Sequence, residues 1–82
     1  MTVHDPYILD ALLSALYDPL PHVRINAALT LESMGDLRAR DVLREVVKHD
    51  GGEDVEGRRV SDYALAALQA IEVRHHETRR DS

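Results

Sequence analysis

The feature that most restricts how this 82-residue chain folds is an internal repeat of helical pattern. Laying the second half on the first with the shift that carries Asp5 to Asp36 also carries Asp10 to Asp41 and Leu12 to Leu43. The same shift puts Val46-Val47 on Ala15-Leu16. Farther along it lengthens, so that Val60, Ala64, Leu68 and Ile71 fall on Val23, Ala27, Leu31 and Met34. The change of register amounts to roughly six residues added to the second inter-helix loop, a span typical of loop insertions. Repeats of this length are single supersecondary units whose apolar faces are covered only by a neighbouring copy. The expected architecture is therefore all-α: an α-α solenoid of two stacked helical hairpins, four helices in one domain.

Local signals place the helices. Asp5-Pro6 reads as an N-cap followed by proline at the first helical position, and the apolar run from Tyr7 to Tyr17 stops at Asp18-Pro19-Leu20-Pro21. Pro21 opens a second helix, whose inner face is Val23, Ala27, Leu31 and Met34 and whose stop is Gly35. Asp36 caps a third, with Ala39, Val42, Leu43, Val46 and Val47 inward, ending near His49-Asp50-Gly51-Gly52. Val60, Ala64, Leu68 and Ile71 lead the fourth, whose start the sequence leaves open because Gly57 interrupts an acidic first turn at 53–56. The repeat domain is thus read as residues 1–73, with repeat one at 5–35, repeat two at 36–73, and 74–82 as a charged, fraying tail.

Composition narrows the chemistry. With 44% hydrophobic residues and no Phe or Trp, the core has to be built from Leu, Val, Ile and Ala. The absence of cysteine excludes disulfides, thiolate metal ligands and thiol nucleophiles. A formal charge of -5 opposes the counterion release that drives binding to nucleic acid. No apolar run approaches the ~18 residues of a membrane span, and Met1 to Asp10 has no basic leader region, so the expected location is cytoplasmic, without membrane contact.

Asp18-Pro19-Leu20-Pro21-His22-Val23-Arg24, with Ala27-Ala28, Leu31 and Gly35-Asp36 behind it, resembles the HEAT-like repeat of the phycobilisome-lyase type. The resemblance covers about residues 5 to 72 and implies that Asp18 and Arg24 stabilise the inter-helix turn. The second copy keeps Val60, Ala64 and Leu68 but has Ser61 at the arginine position, leaving Arg58 or Arg59 as substitutes. The family motif speaks to fold far more than to function.

No pattern in the chain reads as a catalytic or cofactor site. The five histidines lack metal-ligand spacing: His75 and His76 are adjacent and so point about 100° apart on a helix, while His4, His22 and His49 lie near element ends. There is no nucleophile elbow and no phosphate-cradling glycine motif. The informative contrast is between helices one and three. Arg40, Arg44 and Lys48 form a basic stripe on helix three, and their equivalents on helix one are Leu9, Leu13 and Tyr17. Helix one then carries more apolar surface than one neighbouring hairpin hides, which nominates Leu9, Leu13 and Tyr17 as partner contacts. Ile25 and Leu29 on helix two form a second nominated pair, and they fall on Asp62 and Ala66 in the other copy. The expected function is a protein-protein interaction module, a scaffold, adaptor or regulatory subunit that binds a protein partner or a second copy through helix one. It is expected to be neither an enzyme nor a cofactor carrier. The alternative implied by the resemblance is an accessory factor related to phycobilin lyases, acting on a tetrapyrrole-carrying protein, and the basic stripe is the one route to nucleic acid.

Overall fold

The computed structural model describes the backbone of residues 6–80 and the side chains of residues 7–75. Asp5, His4 and the side chains of His76 and Glu77 lie outside the described residues. Among the described residues four α-helices follow one another: α1 (Pro6–Ala15), α2 (Pro21–Met34), α3 (Arg40–His49) and α4 (Val60–Arg80). A short 3-10 turn, Leu37–Ala39, precedes α3.

Each boundary has a local cause. Leu20 is extended and Pro21 occupies the first turn of α2, where its missing N–H costs nothing. Gly35 ends α2 in the left-handed region at φ 66, and its N–H donates to the Leu31 carbonyl at 2.9 Å. A side chain there is strained by the backbone and would also run into the Arg74 guanidinium. Asp36 caps the 3-10 turn rather than α3 directly, its carboxylate accepting from the Arg38 N–H at 2.9 Å.

The long second loop is ordered by its own hydrogen bonds. Glu53 and Arg59 form an isolated antiparallel bridge, the Gly57 N–H donates to Asp54 O at 3.0 Å, and the Val60 N–H donates to Gly52 O at 3.1 Å. Gly57 therefore sits in a turn, and α4 begins cleanly at Val60.

The hairpins stack side by side: α2 and α3 both pack along α4, and α1 packs on α2. Leu16, just past the end of α1, lines one groove with Val46 of α3, and the end of α2 meets residues 74 and 75 of α4, so equivalent helices run in the same direction. One core results. Its largest fully buried side chains are Leu16, Ile25, Leu31, Leu43, Ile71 and Val60, each contributing on the order of 1.5–3 kcal/mol through removal from water. Alanines 27, 28, 64 and 67 are also buried and let the α2 and α4 backbones approach closely. The inner faces read from the sequence for α3 and α4 lie in this core or pack against it.

The tail expectation needs correction, because α4 continues past Val73 to Arg80 as a 21-residue helix. Arg74 donates to Met34 O at 3.2 Å and His75 Nε2 lies 3.1 Å from Gly35 O. The carbonyls left open at the end of α2 thus hold the extension in place. Among the described residues no helix is long and apolar enough to cross a membrane.

Candidate protein-binding surface

Arg24 organises the end of the stack. From the first turn of α2 its Nη1 donates to the Asp18 carbonyl at 2.6 Å, closing the turn between α1 and α2. Its Nε and Nη2 form a fork on the Asp50 carboxylate at 2.7 and 3.2 Å, joining the first hairpin to the end of α3. The two side chains are only 14% and 15% exposed. Asp18 Oδ1 accepts from the Leu20 N–H at 2.9 Å, and Asp50 Oδ1 accepts from the Gly52 N–H at 2.8 Å. A Cβ on Gly52 would collide with Arg24 Nη2, so a side chain there would displace the guanidinium from its fork. The sequence reading did not reach Asp50: it closes a contact across 26 residues, and no local pattern marks it.

In the second copy the turn is built from the loop itself. Arg58 donates through its backbone N–H and its Nε to Asp54, at 2.8 and 2.6 Å, and the guanidinium lies 5.9 Å from the Tyr63 ring centroid. Burial in the loop pushes the Asp54 carboxyl up. The hydrogen bonds from the Arg58 backbone and side chain and from the Glu56 N–H outweigh that and hold it below the ordinary carboxylate value. Its partner Arg58 is raised, chiefly by the same side-chain hydrogen bond.

The nominated partner residues separate into two groups. Leu9 and Ile25, at 3% and 0% exposure, belong to the core and are corrected as contact residues. Ile25 is covered on α2, which packs between α1 and α4, whereas its counterpart Asp62 on α4 is exposed. Leu9 is covered because α1 turns it toward the core together with Leu16, and Leu13 packs half-buried beside them. Tyr17 at 65% and Leu29 at 39% remain exposed. Leu20, at 54%, joins Tyr17 at the end of α1, and Tyr7 and Ile8 are exposed at its start. Leu65 and Val73 on α4 are also exposed.

Beside Tyr17 lies an open groove of about 310 Å³ between the end of α1 and the last turns of α3. Leu16, Tyr17 and Val46 give it an apolar lining, and Glu45, His49 and Asp50 form its polar edge.

The basic stripe is compensated within the chain. Arg44 pairs with Glu72 at 3.3 Å and with Asp41 at 3.7 Å, and Arg40 also lies 3.7 Å from Asp41. Lys48 is exposed on the same helix. Among the described residues no group of three or more His, Asp or Glu side chains comes together as a metal-binding cluster.

Two helical hairpins stacked in the same direction and joined by an arginine in the inter-helix turn define an α-α solenoid of short repeats. The family of HEAT repeats matches residues 2–64, and the chain belongs to it. The match runs through the first hairpin and α3 and ends in the first turn or so of α4. HEAT repeats generally mediate protein-protein interaction. No curated protein and no solved structure matches the chain.

Proposed function

We propose that this chain is a protein-protein interaction module, a scaffold or adaptor, that binds through the end of its first hairpin, self-association included. The observation that carries this reading is the pairing of an exposed Tyr17 and Leu20 with the apolar groove beside them. Exposed aromatic and aliphatic side chains beside a concavity form the kind of anchor point that dominates protein interfaces. Leu29, alone on an otherwise polar outer row of α2 with His22, Asn26 and Ser33, offers a smaller second contact. The basic stripe is a poorer candidate because its arginines already face Asp41 and Glu72.

A photo-crosslinking residue placed at position 17 or at position 33 tests the assignment. The reading requires adducts with a defined protein from position 17, and their loss in a Leu20→Glu background whose helical circular dichroism is unchanged. Equal labelling from both positions would remove it.

A further inference from the structure

Asp50-Gly51 is the one place in the chain where an aspartate or asparagine precedes glycine. At such a step the glycine nitrogen has no Cβ beside it and can reach the carboxyl carbon of the preceding side chain. Attack of the Gly51 nitrogen on Asp50 Cγ forms an N–Cγ bond, and the carboxyl O–H leaves as water with the amide proton. Water then adds to the resulting cyclic imide at one of its two carbonyls. Breaking the new N–Cγ bond restores aspartate. Breaking the original bond between the Asp50 carbonyl carbon and the Gly51 nitrogen leaves the main chain running through Cγ, an isoaspartate of unchanged mass. We propose that Asp50 is a site of covalent isomerisation in this protein and that the Arg24 fork is the gate that sets its rate.

In the folded chain the reaction is held back by placement rather than by cover. Gly51 is exposed, with open space where a side chain would stand, so water reaches the bond. Asp50 has φ -91 and ψ 105. Ring closure needs Cβ eclipsed with the Gly51 nitrogen, which tetrahedral geometry at Cα puts at a ψ of about −120°. The observed ψ is far from that value and sends the carboxylate past Gly51 to Gly52, whose N–H donates to Oδ1 at 2.8 Å. Arg24 Nε and Nη2 donate to the two oxygens at 2.7 and 3.2 Å. Turning Asp50 into the reactive shape therefore breaks the fork and the Gly52 bond together. The segment is anchored on either side, by the Asp50 N–H on Val46 O at 2.9 Å and by Gly52 O under the Val60 N–H at 3.1 Å, so the opening is local. The product is a permanent change. An isoaspartate adds a methylene to the main chain and leaves the carboxylate directly on Cα, one carbon short of its former reach. The joint between the first hairpin and the end of α3 is then lost, and the groove edge that Asp50 lines is altered with it.

Ageing of the full chain at neutral pH, folded and in urea, tests the proposal. Isoaspartate is quantified by enzymatic methylation of isoaspartyl carboxyls and located by fragmentation mass spectrometry. The expected product lies at position 50 and forms at least about tenfold more slowly in the folded chain than in the unfolded one. Arg24→Met raises the folded rate at least about tenfold while leaving the rate in urea unchanged. Arg24→Lys keeps the charge without the fork and falls between the two. Gly51→Ala, where φ is not positive and space is open, keeps the circular dichroism and suppresses the product in both states. Ile25→Ala is the control, because it weakens the core without touching the fork and so leaves the folded rate near wild type. Isomerisation as fast in the folded wild type as in urea would overturn the proposal. So would an Arg24→Met or Arg24→Lys chain that keeps its circular dichroism and ages no faster than wild type. Equal acceleration by Ile25→Ala would show that the bond reacts through global unfolding and that the fork is no gate.

Discussion

Removing the Arg24 fork offers the sharpest test of how the two hairpins are held together. The guanidinium makes three hydrogen bonds, to Asp18 O at 2.6 Å and to the two Asp50 oxygens at 2.7 and 3.2 Å, with both side chains about 85% covered. Arg24→Met keeps the aliphatic stem, so the change isolates the polar head. Hydrogen bonds to charged groups contribute about 1.5–3 kcal/mol each at most, and they are not additive where one group serves several. Asp50 keeps the Gly52 N–H as a donor, which offsets part of the loss. The expected cost is about 2–4 kcal/mol, and for a domain of this size that lowers Tm by roughly 10–20 °C. Thermal and urea unfolding of Arg24→Met, Asp50→Ala and the double variant close the cycle. The coupling is expected at about 1–2 kcal/mol, because the double variant leaves no buried charge without its partner. A single-variant cost below about 0.5 kcal/mol, or two costs that simply add, would show that the fork does not couple the hairpins.

Three further outcomes follow from the same geometry. Ile25→Ala should cost about 2–4 kcal/mol and Leu29→Ala less than about 1, since the first is fully covered and the second 39% exposed; similar losses in urea titrations would contradict the placement of α2. Asp54 is held below its ordinary value of 3.8, so its contribution to loop order is complete above that pH and is lost as pH falls through the lower folded value. Amide shifts of Glu56 and Arg58, both donors to its carboxylate, should then titrate with a midpoint below 3.8, and a midpoint at or above it would refute the assignment. Titration with a bilin separates the binding-module reading from the tetrapyrrole-related alternative: no change in the pigment spectrum is expected, and a saturable shift at one pigment per chain would favour the alternative.

The hairpins were legible because their signals are local. Pro21, Gly35 and Asp36 act within a turn of where they stand, and the repeat supplies a second reading of each face. What stayed hidden depends on partners far away in sequence. Asp50 is 26 residues from Arg24, and the carbonyls that hold Arg74 and His75 are 40 residues back along the chain. The polar stretch after Val73 carries no apolar stripe to announce a helix. It continues as one because the end of α2 supplies acceptors and because nothing there breaks the backbone pattern. Ile25 was misplaced for a related reason. Aligning two copies assumes equal surroundings, yet Ile25 is fully covered while its counterpart Asp62 is exposed.

The excess apolar surface of the first copy survives in the structure, though displaced from where the helical stripe puts it. A helix rotates about its axis at little cost, and α1 does so until Leu9 and Leu16 face the core with Leu12 and Leu13 beside them. Residues in a pinned turn have no such freedom. Arg24 holds the Asp18 carbonyl and Asp18 holds the Leu20 N–H, so Tyr17 and Leu20 are carried on a turn whose direction is set by polar bonds rather than by their own hydrophobicity. The same arginine that joins the hairpins thereby fixes the two side chains outward, next to a groove whose edge residue Asp50 it also holds. Release of that fork should then affect association as well as stability. Arg24→Met is expected to weaken Tyr17-dependent association even at temperatures where the fold remains intact, and unchanged association in a folded Arg24→Met chain would separate the turn from the binding surface.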